Sequence, residues 1–490
     1  MVELKPVNLS DTKVDVLAVP VCEDLEIHAN KIVLALETAA KSYPEFKGKD
    51  GDRITLLKPE GTRITRVVFF GLGKTEKLEA ESFRSFAGKA IRFCIEAGLS
   101  SLTIATPSAS SIDLQPATLF SALAEGACLA NHIFDRYKEE KEKEAVNKTT
   151  LTATAAQKKA YGRLLQSVSD ICAASILARE WVTTPSNDKR PEAFAALLQK
   201  DAKAEGLNVS VKTHTWLEKQ KFGAMLAVGQ GSSAKPRLVT IEYVPKNAKK
   251  TLVLVGKGVT FDSGGLNLKP TGSIETMKMD MSGAAAVAGT LMAIAKVKPS
   301  VRVIGVMPLV ENMPSGTAIR PGDIVRSYSG KTVEIGNTDA EGRLILIDAM
   351  AWAVNQYKPD TLIDLATLTG ACVVALGEKI AGVFSNDRQL ADTLVTSGTN
   401  THERCWALPL PDDYKEMLKN DFADLNNISG GRWAGAITAA LFLSEFVGET
   451  RWAHIDIAGP AWAAKASDYC GAGGTGFGVR LLCDWIQNHY

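Results

Sequence analysis

Four short runs, Leu238–Val244, Thr251–Val255, Val301–Met307 and Thr361–Leu365, are apolar almost without interruption and are separated by stretches of helical character. A strand apolar on both alternating faces must be covered on both, which is the condition of a parallel sheet in an α/β fold. Between the second and third runs lies Ser282–Val297, so rich in Gly and Ala that it predicts a helix lying close against a sheet. The first third alternates in the same way. Val14–Val21 and Arg66–Phe70 read as strands, Gly71-Leu72-Gly73 as a turn, and Pro116–Phe134 as a helix with Leu119, Leu123 and Ala127 on one stripe. The expectation is two α/β domains: an N-terminal one over 1–152, a connecting helix over 153–181, and a larger C-terminal one over 182–490. The larger has a mostly parallel central sheet covered by helices on both faces.

Charge and cysteine usage exclude several classes. The 490 residues carry 56 Lys and Arg against 55 Asp and Glu, a net charge of +1, so no global field draws in nucleic acid or an anionic membrane. The charged run Lys138–Glu144 mixes both signs and reads as a solvated face. Eight scattered cysteines with no C-x-x-C pair fit buried free thiols in a reducing compartment. The first twenty residues lack an apolar core of signal-peptide type, and the longest uncharged runs fall short of the ~18 residues of a membrane span. A soluble, cytoplasmic protein is expected. Gly471-Ala472-Gly473-Gly474-Thr475-Gly476 matches a dinucleotide pattern but lies too near the C-terminus for a βαβ unit, so it reads as a turn. No phosphate loop, serine elbow or H-E-x-x-H motif is present, and whatever chemistry occurs uses other groups.

Those groups gather in two clusters. In Gly256–Gly265 an apolar strand runs into Lys257, and a Gly-rich turn then presents Asp262, where ligand sites of open α/β sheets lie. Lys269 and Asp280 follow, the latter just ahead of the Gly/Ala helix. The second cluster is Asn337-Thr338-Asp339-Ala340-Glu341-Gly342-Arg343-Leu344; read as extended, it points Asp339, Glu341 and Arg343 the same way. If the clusters meet, four carboxylates (Asp262, Asp280, Asp339, Glu341) share a pocket with three cations (Lys257, Lys269, Arg343). Such acids repel and protonate unless more positive charge arrives, and two divalent ions balance four acids. An oxygen-rich set without His or Cys suits Mg²⁺, Mn²⁺ or Zn²⁺, and a ligating lysine must be the neutral amine. On composition and spacing alone, ordinary surface ion pairs account for these charges as well as a metal site does.

The two clusters together resemble the leucine aminopeptidase (cytosol aminopeptidase) family of two-metal exopeptidases, bacterial type, whose signature is the N-T-D-A-E-G-R-L run. The likeness continues through Asp364–Ala371, Asp424-Leu425-Asn426-Asn427 and Trp452–Gly459, and spans from about Ala178 to near the C-terminus. The resemblance implies one metal held by Asp262, Asp339 and Glu341, with the carbonyl of Asp339, and another held by Lys257, Asp262, Asp280 and Glu341. It implies two divalent ions per subunit, Mn or Zn, hydrolysing N-terminal residues of peptide substrates. Lys269 and Arg343 match the catalytic positions, with bicarbonate at Arg343 as general base. Met277, Thr367, Gly370 and Ala458 would line the first side-chain pocket, favouring Leu, Met and other apolar residues; Ala461 stands where animal members have methionine. A homohexamer is implied as well. Competing readings are a two-metal phosphoesterase, and an additional DNA-binding role found in some bacterial members, which the charge does not support.

Overall fold

A computed structural model describes residues 2–490 and divides into two compact units. The first comprises Met1–Ala173 with Lys465–Ala472, the second Ala174–Ala464 with Gly473–Tyr490. The division falls inside a single long helix, Ala155–Thr183, and the short segment 465–472 returns to the first unit.

The first unit is built on a six-stranded sheet in the order Val2–Lys5, Lys148–Thr152, Ser101–Ile104, Val14–Val21, Ile64–Gly71, Arg53–Leu57. Every neighbouring pair is parallel except the last. Leu17, Val19, Val21, Val67, Phe69 and Phe46 form one of its apolar layers. The helix expected over Pro116–Phe134 stops at Ala130, because Asn131 turns its side chain onto the backbone of Val146 instead of continuing the ladder.

In the second unit the sheet runs Cys405–Ala407, Ala381–Ser385, Trp452–Asp456, Thr361–Ala366, Thr251–Gly256, Arg302–Asn312, Arg237–Tyr243, Asn208–Lys212. The four central strands, from Trp452–Asp456 to Arg302–Asn312, are mutually parallel, and antiparallel pairs lie outside them. Gly258–Asp262 extends the sheet beside the far end of Arg302–Asn312. Helix Ser282–Val297 covers one face and helix Glu341–Tyr357 the other, with Val253, Val255, Ile304 and Val306 packed beneath the second. The Gly content of the first helix has a steric cause: a Cβ on Gly283 would lie 2.1 Å from the Leu365 carbonyl oxygen. The stretch Ile274–Val297 has the length of a membrane span, but 83% of its apolar 18-residue window is buried within these layers. None of the eight cysteines is in a disulfide bond, and seven are buried.

Asp348, on the inner face of the second helix, accepts hydrogen bonds from the Met225 N–H at 2.9 Å and the Tyr328 N–H at 2.7 Å. Burial pushes its carboxyl from 3.8 up to about 7, against the pull of those backbone donors. A carboxyl raised on folding contributes stability that is full below its unfolded value and is lost as pH rises through the folded one. Relative to Asp348→Asn, which does not titrate, the wild type should therefore lose up to about 1.4 kcal/mol per pH unit across that interval. Denaturant unfolding of both proteins at pH 5 and pH 8 checks this, and a pH-independent difference contradicts it.

Candidate metal centre

The carboxyl ends of the parallel strands and the N-termini of the two covering helices converge on one point. Lys257 sits at the break between Thr251–Gly256 and Gly258–Asp262, with its N–H bonded to the Leu365 carbonyl at 3.0 Å. Its ammonium lies 2.8 Å from Asp280 Oδ1 and 2.9 Å from Glu341 Oε1, and donates to the Thr367 carbonyl at 2.9 Å. Gly342 makes room for it: a Cβ there would stand 2.7 Å from Nζ.

Asp262 ends its strand and accepts from the Gly264 N–H and from Asn312 Nδ2, both at 2.8 Å. Lys269 Nζ bridges Asp262 Oδ2 at 2.8 Å and Asp339 Oδ1 at 2.6 Å. The segment bearing Asp339 is not extended. It turns through Thr338–Ala340, and Glu341 opens a helix that runs to Tyr357. The extended reading therefore fails for Asp339, Glu341 and Arg343 alike. The apolar run Leu344–Ile347 packs as a helix face, and an acid in a first turn is favoured by the N-terminal end of the helix dipole. Glu341 and Arg343 thus enter the site from the first turn of a helix, and Asp339 from the loop before it.

Asp262, Asp280 and Glu341 are all buried, each offering an oxygen within 4.8 Å of the others. Oδ2 of Asp280 and Oε2 of Glu341 are enclosed without a hydrogen-bond partner. A buried anionic oxygen left unpaired is costly, and a divalent cation meets that need where no further donor is present. Burial raises Asp280 well above the usual carboxylate range; Lys257 opposes the rise, and Glu341 and Asp262 add to it. Asp262 is raised by burial and by Glu341 against the pull of Lys269 and Lys257, and Asp339 by burial and by Asp262. Burial works against the charge of Lys257 too, but Asp280, Glu341 and Asp262 outweigh it and hold the ammonium. The donor set therefore fits divalent cations, which would replace the proton on Lys257 and relieve the repulsion among the acids.

Arg343 is buried, and burial lowers its guanidinium to about 10, partly offset by Glu341 and Asp456. One terminal nitrogen donates to the Asn427 carbonyl at 2.7 Å, whereas the enclosed Nε has no partner. Such a half-used planar fork is suited to a small oxyanion.

The catalytic-domain profile of the cytosol aminopeptidase family matches residues 176–483, and the N-terminal-domain profile matches residues 23–141. The chain belongs to the cytosol aminopeptidase family. A probable cytosol aminopeptidase of Geobacter sp. (strain M21) is 45% identical over 446 residues, covering 90% of each chain. That of Chlorobium limicola is 41% identical over 490 residues, covering 97% of each. Among solved structures, the bottromycin maturation enzyme BotP in complex with Mn superposes with a TM-score of 0.86 at 34% identity, covering 97% of this chain and 99% of the other. Membership makes the protein a metal-dependent aminopeptidase, and the buried acidic cluster is where its sequence and fold can hold metal.

Around this cluster the cytosol aminopeptidase fold sets the remaining sequence candidates. Thr367 donates to Asp280 Oδ1 at 2.7 Å. Met277 lies in the 3-10 turn Ile274–Met279 just before Asp280. Gly370 opens the helix Gly370–Leu376, and the Ala458 N–H is held by Asp456 Oδ1 at 3.1 Å. Three polar residues to which the sequence alone assigns no role support the site. Asn312 ties Asp262 to the Thr338 carbonyl (3.0 Å), and so joins the two motifs. Asn427 holds the backbone of Gly336 and Asn337 as well as Arg343. Asp456 accepts from three donors in the turns above it. Asn312 and Asp456 end central strands, and that position is the one signal that could have picked them out.

Proposed function

We propose that the protein is a leucyl aminopeptidase that removes Leu, Met and other apolar N-terminal residues from peptides with two divalent ions, Mn or Zn. The observation that carries this reading is the trio of buried acids at the ends of the parallel strands, two of which, Asp280 and Glu341, keep an enclosed, unpartnered oxygen. Lys257, Asp262, Asp280, Asp339 and Glu341 would hold the ions. When bound, these would supply Lewis acidity that makes a water nucleophilic at neutral pH and an anchor for the free α-amine of the substrate. The similar BotP structure is a complex with Mn, which favours manganese.

The protein's own groups do the rest. Lys269 is held as an ammonium, because Asp262 and Glu341 outweigh the effect of its burial. From there it would donate to the scissile carbonyl oxygen and stabilise the negative charge that develops on it. Arg343 would hold bicarbonate through its free edge, and the bicarbonate would take the proton of the attacking water. The protein's acids would then be left to the cations. Met277, Thr367, Gly370 and Ala458 would line a small, uncharged pocket for the first side chain. One methylene is worth about 1–3 kcal/mol in such a pocket, so selectivity should be broad. The same reading places the chain in the cytoplasm as a homohexamer, checked by light scattering.

Initial rates on leucine p-nitroanilide and on p-nitrophenyl phosphate, with and without chelator, test the function. Release of p-nitroaniline that chelation abolishes and Mn²⁺ or Zn²⁺ restores is expected. Cleavage of the phosphate ester alone would make the protein a phosphoesterase.

A further inference from the structure

We propose that Asp456 is a positioning residue for the first side-chain pocket, a single buried carboxylate that locks together the two turns from which most of that pocket is made. The proposal rests on the pocket assignment above. Strands Thr361–Ala366 and Trp452–Asp456 are parallel neighbours, with Ala366 opposite Asp456, so the turns that follow them leave the sheet side by side. The first carries Thr367 and Gly370, the second Ala458. Asp456 has no exposed surface. Its Oδ1 accepts from the Leu368 N–H at 3.2 Å and the Ala458 N–H at 3.1 Å, and its Oδ2 accepts from the Thr369 hydroxyl at 2.6 Å. Thr369 Oγ1 accepts in turn from the Cys372 N–H at 3.0 Å, so its hydroxyl proton is committed to Asp456 and the first turn of helix Gly370–Leu376 is fixed with it.

The turn after Ala366 is thus gripped from two sides. On one, Thr367 donates to Asp280 Oδ1 at 2.7 Å and its carbonyl accepts from Lys257 at 2.9 Å. On the other, Leu368 and Thr369 hang from Asp456. A shift at Asp456 would therefore move the pocket wall relative to the metal-holding residues. Among the described residues the carboxylate makes no ion pair, and Arg343 and His454 feel its charge through space. A buried charge of this kind is expensive, and packing two parallel strands does not require one. Three bonds converging from two pocket-forming turns give it a use.

The test compares wild type, Asp456→Ala, Thr369→Val and Thr369→Ser on leucine and alanine p-nitroanilides, with bound metal and thermal melting followed in parallel. Asp456→Ala and Thr369→Val should lower the leucine-over-alanine ratio of kcat/KM about tenfold, mainly through a higher KM for the leucine substrate, with kcat changed less than about threefold. Bound metal should stay at the wild-type level, and Thr369→Ser, which keeps the hydroxyl, should retain the wild-type ratio. An unchanged ratio in folded Asp456→Ala overturns the proposal. So does an equal fall in kcat for both substrates at constant KM, which would place the effect at Arg343 or the metals. Should Asp456→Ala fail to fold, Thr369→Val decides by the same criteria. A wild type inactive on both anilides sinks the aminopeptidase reading itself, a result distinct from an active wild type with indifferent variants.

Discussion

Lys269→Ala is expected to lower kcat on leucine p-nitroanilide by about 10³-fold while leaving the metal content of the protein unchanged. The reasoning begins with geometry. Lys269 reaches Asp262 and Asp339 from a loop, and its side chain is partly exposed, in contrast to the enclosed amine of Lys257. A lysine at the mouth of the site can keep its proton when cations are present, and an ammonium is the donor needed beside a developing oxyanion. Lys257 instead lies between Asp280 and Glu341, where a ligand would stand. The two lysines therefore separate on metal analysis: Lys257→Ala should lose metal and Lys269→Ala should not. Loss of metal from Lys269→Ala would refute its assignment as a non-ligand.

Much of this architecture was legible because the elements concerned are governed by local pattern. Val14–Val21 and Ser282–Val297 appear with the bounds that their composition suggested, since an uninterrupted apolar run and a Gly/Ala stripe each admit few packings. The long helix is displaced by two residues at each end, to Ala155–Thr183. The stretch Asp339–Arg343 was harder. Alternation of polar side chains over five residues is compatible with a strand, but the apolar run after it forms a helix face against Val253 and Val255, a contact invisible locally. The return of 465–472 to the first unit has the same cause, because the Ser85 hydroxyl donates to Asp468 and the Tyr469 hydroxyl to Glu81 across nearly four hundred residues of chain. Asn312, Asn427 and Asp456 act through single side-chain bonds to distant backbone, and no spacing rule reports those.

The second large effect is expected at Glu341, which opens the helix Glu341–Tyr357 with one oxygen on Lys257 and the other enclosed and unpaired. Glu341→Gln keeps the shape and an oxygen for Lys257 but removes the negative charge. It should weaken metal binding and lower kcat/KM by about 10³-fold or more at limiting metal, the loss of several kcal/mol of charge stabilisation. A readout apart from activity follows from linkage. A ligand that binds only the folded chain stabilises it by RT ln(1 + [L]/Kd), about 4 kcal/mol at a thousandfold excess over Kd. Chelation should therefore lower the wild-type melting midpoint by several degrees and Glu341→Gln by much less, since little metal remains to remove. The sign with pH is also fixed. Burial raises Asp262 and Asp280 above their ordinary range, so protons compete with cations for the same oxygens, and metal affinity should fall as pH falls. In the variant the charge of Glu341 no longer adds to the rise at Asp262 and Asp280, and that pH dependence should be shallower. Equal chelator shifts in the two proteins would mean that Glu341 holds no metal and that its unpaired oxygen serves the fold alone.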